Sequence, residues 1–214
     1  MKLKVCGMKY DYNIQKIAEL KPDFLGYIFY EKSSRYFVGK IPRLPETVKK
    51  VGVFVNSPIE EVLSKVYEHD LNLIQLHGDE SPEYCNELKK HSSEDTLRKF
   101  EIIKVFSVGN NFDFSLIKDY EDVSNYFLFD TKGKLPGGNG FSFDWQVMKN
   151  YPSTKPYFLS GGIGMEQSNA LKEFFKMPES KYCFAIDVNS RFEIEPGLKA
   201  EDLVREFKEK IISN

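Results

Sequence analysis

VGVFVNSPIEEVLSKVY, residues 51–67, reads as one complete strand-and-helix unit. Residues 51–55 are almost continuously apolar and rich in valine. That is the composition of a strand covered on both faces, as in a parallel sheet, and not the alternation of a half-exposed antiparallel strand. Asn56 closes the run. Ser57-Pro58 then predicts a helix start, with a capping residue before a proline at the first helical position. Ile59, Val62, Leu63 and Val66 follow at helical spacing and share one apolar stripe.

Apolar runs of the same kind lie at 3–6, 24–29, 73–76, 102–106, 126–129, 157–159 and 183–186, which with 51–55 makes eight. Helical patterns separate most of them. NALKEFFK (169–176) places Ala170, Leu171, Phe174 and Phe175 on one face, and Ser81-Pro82 repeats the helix-start signal. Strand starts fall roughly 20 to 31 residues apart, the length of a βα unit. Eight such units are what a closed (β/α)8 TIM barrel of eight parallel strands requires. The rival, a doubly wound open sheet, needs weaker edge strands and has no reason to stop at eight. The weakest unit is 107–123, and 92–99 reads as an irregular extension.

At 214 residues, one domain spanning 1–214 is expected. Thirty Lys and Arg against 32 Asp and Glu give a net charge of −2, which argues against a nucleic-acid or membrane-surface partner. No run approaches the roughly 18 apolar residues that a membrane span needs, and the first residues lack a signal-peptide pattern, so a cytoplasmic chain is expected. The three cysteines, at 6, 85 and 183, are too widely spaced for a disulfide framework or a zinc site. Cys85, in a helical pattern, and Cys183, in the last apolar run, read as small core residues.

In such a barrel the site lies where the strands end. Those ends carry Cys6-Gly7, a loop with Arg35, Asn56, His77-Gly78-Asp79, Asp130, the glycine-rich SGGIG (160–164), and Asp187 with Asn189 and Ser190. SGGIG by itself reads more simply as a tight turn. Beside Ser190 on the neighbouring loop, it favours a phosphate site after strands seven and eight. Arg35 is either a solvated charge or a fork for a carboxylate. His77 is either a hydrogen-bonded structural histidine or a supporting residue of the site. Cys6 alone reads most simply as packed core, whereas Asp130, ending YFLFD, is costly to bury without a partner. The loop that follows it, TKGKLPGGNG, is of the kind that closes over a ligand.

Taken together, KVCGMK (4–9), FYEKSSRY (29–36), VGVFVN (51–56), IQLHGDE (74–80), FDTKGKLPGGNGFSFDW (129–145), FLSGGIG (158–164) and AIDVNSRFEIEPGLK (185–199) resemble the phosphoribosylanthranilate isomerase family of tryptophan biosynthesis from end to end. The resemblance implies an Amadori rearrangement of N-(5-phosphoribosyl)anthranilate to 1-(2-carboxyphenylamino)-1-deoxyribulose 5-phosphate without cofactor or metal. By the same resemblance, Cys6 is similar to the family's general base and Asp130 to its general acid. Arg35 matches the residue that holds the anthranilate carboxylate. Gly161, Gly162 and Ser190 look like the phosphate cradle, and Asp187 like a substrate-contacting aspartate.

The chemistry suits these types. Ring opening needs a proton from Asp130, and removal of the sugar C2 proton needs a base, which a thiolate can be where its surroundings favour charge. Lys4, two residues before Cys6 and so on the same side of the strand, either supports that pair through a charge network or merely ties down a carboxylate. Where many members have glycine after DVxS this chain has Arg191, directed either outward or toward the phosphate. The rival readings are another cofactor-free phosphosugar isomerase, including the histidine-pathway type, which has an acid where this chain has Cys6, or a non-catalytic phosphate-binding module. The partner expected is a small phosphorylated molecule, for a monomer or homodimer.

Overall fold

The computed structural model describes residues 1–94, 99–109, 111–131 and 145–212. Eight strands close into a barrel in chain order: β1 (Lys2–Val5), β2 (Phe24–Ile28), β3 (Lys49–Phe54), β4 (Leu73–Leu76), β5 (Glu101–Val108), β6 (Tyr126–Thr131), β7 (Tyr157–Ser160) and β8 (Cys183–Val188). All neighbours pair in parallel, and β1 seals the barrel against β8 with Leu3 opposite Ile186 and Lys4 opposite Asp187. Each expected run is a strand, and the closed order removes the open-sheet rival.

The alternation of side chains along a strand sorts these residues into two sets. Phe24, Val51, Leu73, Ile103, Leu128, Phe158 and Ala185 point inward and fill the barrel's interior with apolar side chains. The alternate positions, such as Leu25, Ile74, Phe127 and Ile186, face outward against the surrounding layer. That layer includes α1 (Asp11–Glu19), α2 (Ile59–His69), α3 (Pro82–Glu94), α4 (Ser168–Phe174) and α5 (Glu201–Phe207). Val62 and Val66 of the predicted stripe are fully buried, while Ile59 and Leu63 flank them partly buried. Cys85 and Cys183 are buried as small core residues, and burial pushes the Cys85 thiol up to about 11.

The helix starts divide. Pro82 opens α3, and the Tyr84 amide donates to Ser81 Oγ at 3.3 Å, as expected. Pro58 instead occupies the cap position in extended conformation, so α2 begins one residue later and Ser57 does not cap it.

The crossover from β2 to β3 has no helix, and among the described residues that from β5 to β6 carries only a 3-10 turn, Phe114–Tyr120, begun where Asp113 accepts from the Ser115 amide at 2.9 Å. Aromatic rings pack there in place of a helix. Phe106 lies edge-on to Tyr120 at 5.3 Å and to Phe127 at 5.4 Å, and Phe129 meets Tyr151 and Tyr157, each at 5.4 Å. Such pairs contribute about 0.5–1.5 kcal/mol each beyond the area they bury. The glycine-rich loop after Asp130 lies outside the described residues at 132–144. No helix among the described residues is long and apolar enough to cross a membrane.

Candidate active site

At the end of the barrel where the strands finish, inward-facing positions one step beyond the apolar interior surround a cavity of about 220 Å³. Cys6, Gln75, His77, Asp130 and Asp187 line it together with Ser160–Ile163, Asn189 and Ser190. Of the residues expected from the sequence, Cys6, His77, Asp130, Gly161, Gly162, Asp187 and Ser190 therefore share one space. Two do not line it. Lys4 lies beneath it and Arg35 at its edge.

Lys4 is fully buried, and its ammonium donates to Asp187 Oδ1 at 2.9 Å. Burial alone pulls an ammonium down, but the carboxylate of Asp187 and the nearby Cys6 outweigh it and hold Lys4 above its ordinary value. The pair is ionic. Asp187 is pushed up by burial, with Lys4 opposing. Cys6 is pushed up by burial as well, although Lys4 and Lys199 draw it down. The surroundings of the sulfur therefore favour the thiol over the thiolate, the reverse of what a ready-made base needs. Glycines make room in this part of the site. A Cβ at Gly26 would sit 2.8 Å from Sγ, and one at Gly7, where φ is +77°, would strike Asn189 Oδ1 at 2.7 Å and Arg35 Cδ at 2.8 Å.

Arg35 is bound by Glu193. Its Nε donates to Oε1 at 2.8 Å and its Nη2 to Oε2 at 2.6 Å. Burial works to raise Glu193, but the bonds from Arg35 and Lys199 hold it below the usual carboxylate range. Lys199, itself buried, donates to Glu193 Oε1 at 2.6 Å and to Asn189 Oδ1 at 2.7 Å, so one network fixes both Arg35 and the loop after β8. Glu193 takes the Nε–Nη2 edge of the guanidinium, which leaves the Nη1–Nη2 edge as the one placed to meet a carboxylate.

On the loop after β7, Gly161 and Gly162 have φ of +104° and +63°, left-handed conformations that glycine adopts without steric cost. The Gly164 amide is taken by Gln167 Oε1 at 2.7 Å, and a 3-10 turn, Met165–Gln167, comes before α4. Arg191 is exposed, with Nε 3.9 Å from Glu166 Oε1, and it does not line the cavity.

His77 Nε2 lies 3.5 Å from Asp130 Oδ2, while Gln75 Nε2 approaches His77 Nδ1 at 3.1 Å. The backbone beneath His77 is pinned by a buried ion pair, Lys104 Nζ to Glu80 Oε2 at 2.8 Å. Glu80 also accepts from the amides of Asn56 at 2.8 Å and Gly78 at 3.0 Å, which joins the loops after β3 and β4. Lys104→Met, which strands a buried carboxylate, is expected to lower unfolding free energy by about 3–5 kcal/mol in a urea titration. Adding Glu80→Gln should recover part of that loss, and strictly additive losses would contradict the pairing.

Glu193, Lys199, Gln75, Glu80 and Lys104 went unnoticed at the level of sequence. Gln75 and Lys104 did carry a signal, since each is a polar residue inside an otherwise apolar run. Among the described residues no group of three or more His, Cys, Asp or Glu is placed to hold a metal ion.

The profile of the N-(5'-phosphoribosyl)anthranilate isomerase family matches residues 3–210. A relative named as that isomerase in Parabacteroides distasonis is 41% identical over 99% of this chain and 94% of its own length. The solved phosphoribosyl anthranilate isomerase of Thermotoga maritima superposes with a TM-score of 0.81 at 29% identity, covering 100% of both chains. Another, solved in complex with reduced 1-(o-carboxyphenylamino)-1-deoxyribulose 5-phosphate, does so with a TM-score of 0.78 at 27% identity, again over 100% of both. With nearly its whole length matched in sequence and its barrel matched in shape, the chain belongs to the N-(5'-phosphoribosyl)anthranilate isomerase family.

Proposed function

We propose that Cys6 and Asp130 are the base and acid with which this chain isomerises N-(5'-phosphoribosyl)anthranilate in tryptophan biosynthesis. The observation that carries the assignment is their position. They end β1 and β6, with β7 and β8 between them in the closed order, and both line the cavity that the glycine turn after β7 also lines. A phosphate held by Gly161, Gly162 and Ser190 has the thiol on one side and the carboxyl on the other, and the pentose lies between. Arg35 receives the anthranilate carboxylate, and Asp187, oriented by Lys4, accepts from a sugar hydroxyl. Every one of these groups comes from a single chain, so the site is the same in a monomer or a homodimer.

The protons then balance. Asp130 gives its proton to the furanose ring oxygen as the bond from that oxygen to C1 breaks, and the anthranilate nitrogen lone pair forms the C1=N iminium. The Cys6 thiolate removes the C2 proton, and the electrons of that C–H bond form the C1=C2 enolamine and neutralise the iminium. Protonation at C1 with loss of the C2 hydroxyl proton leaves the ketose and returns both groups to their starting states. The transient iminium also places a positive charge near Cys6, which favours the thiolate just when a base is required.

The decay of substrate fluorescence in wild-type and variant protein tests the assignment. Arg35→Ala is expected to raise KM about ten- to hundredfold while kcat changes little, since it removes a grip common to ground and transition states. A fall in kcat at unchanged KM would assign Arg35 a different role.

A further inference from the structure

We propose that Gln75 is a positioning residue for the reaction, setting the tautomer of His77 and thereby the oxygen of Asp130 from which the proton is delivered. This rests on Asp130 being the acid. Gln75 is an inward-facing side chain of β4, 1% exposed, two residues before His77. One end of its amide meets His77 Nδ1 at 3.1 Å, and the other end has no partner among the described residues.

The two possible orientations of that amide are unequal. With the oxygen on Nδ1, the NH2 group would take the unpartnered place and leave two buried donors unsatisfied. With the nitrogen on Nδ1, one N–H and the carbonyl oxygen are left over, so the two orientations differ by an unpaired carbonyl against a second unpaired N–H, and buried carbonyls tolerate this better than buried N–H groups. Gln75 therefore donates to Nδ1. A ring nitrogen that accepts holds no proton, so the neutral imidazole carries its hydrogen on Nε2, facing Asp130 Oδ2 at 3.5 Å. That separation is longer than a formed hydrogen bond, as is common before substrate binds. An Oδ2 that accepts from His77 leaves the acid's proton on Oδ1, free for the ring oxygen. The opposite tautomer would bind the proton of Oδ2–H to His77 and withdraw it from the substrate.

The chain has three histidines, so selective 15N labelling gives a short spectrum, assigned by comparison with His77→Asn. In its neutral form, wild-type His77 is expected to show a pyrrole-type Nε2 and a pyridine-type Nδ1. Gln75→Met should mix the tautomers and lower kcat about tenfold with KM within about twofold, a fraction of the full general-acid contribution. Gln75→Glu, whose carboxylate only accepts, should invert the tautomer and lower kcat about a hundredfold. If that buried charge prevents folding, the wild-type spectrum and Gln75→Met decide. Combining Gln75→Met with His77→Asn should cost no more than His77→Asn alone. A wild-type His77 protonated on Nδ1, a Gln75→Met enzyme with unchanged kcat, or multiplicative losses in the double variant would each overturn the proposal. Full turnover by Asp130→Asn is a different result. It removes the acid assignment, and with it the catalytic purpose of Gln75, while the tautomer signature persists. An inactive Asp130→Asn beside an indifferent Gln75→Met overturns the role of Gln75 alone.

Discussion

Asp130→Asn is expected to lower kcat about a thousandfold, within the range attributed to a single general acid, and to leave KM and the melting temperature nearly unchanged. Asparagine has the shape of aspartic acid and keeps a carbonyl oxygen for His77, but it has no proton to give to the ring oxygen. The substitution is mild for the fold because the position is partly exposed at the end of β6, where backbone pairing with Ser107 and Ser160 sets the strand register irrespective of the side chain. Steady-state turnover with purified protein, accompanied by a thermal melt, checks both halves. Turnover near the wild-type rate would remove Asp130 from the chemistry, whatever happened to affinity.

Cys6→Ala is expected to have an effect of the same order on kcat, about a thousandfold, at a cost in stability of about 1 kcal/mol for the lost buried sulfur. Its pH dependence should be more telling than its size. Burial holds the wild-type thiol above its ordinary value, and the active species is the thiolate. A raised pKa on a group that must be deprotonated means that the competent fraction grows with pH. The rate at which a neutral haloacetamide alkylates Cys6 in the free enzyme, which reads the thiolate alone and not the protonated acid that turnover also needs, should therefore climb about tenfold per unit until it passes the raised thiol value. Lys4 is a counter-charge that lowers that value, so Lys4→Met should displace the rising limb toward higher pH. An alkylation rate already flat at about neutral pH would show that the sulfur is not held as the thiol.

The strands were readable because a parallel barrel buries both faces of each one, so that apolar runs such as 51–55 stand out without any knowledge of their neighbours. Cys6, Asp130 and the 160–164 turn were readable for a related reason, since a polar residue that ends such a run falls at the barrel mouth. What stayed hidden depends on partners far along the chain. Arg35 meets Glu193 across 158 positions, and Lys4 meets Asp187 across 183. The same limit applies to the crossover after β5. Phe112 and Phe114 show no helical stripe because they pack on rings from β5 and β6 rather than on residues three or four places away. Gln75 was the avoidable omission. Counting back two from His77 along the strand places it on the inner face, where a polar amide has to find a partner.

Replacing a helix by interlocked rings beside β5 changes how that flank of the barrel can come apart. A helical cover has its own ladder of amides and unravels turn by turn, whereas Phe106, Phe127, Phe129, Tyr151 and Tyr157 interlock as one body. Loosening any one ring frees its neighbours together, so this flank should part from the strands in a single step, and its chiral near-ultraviolet signal should vanish all at once rather than fade.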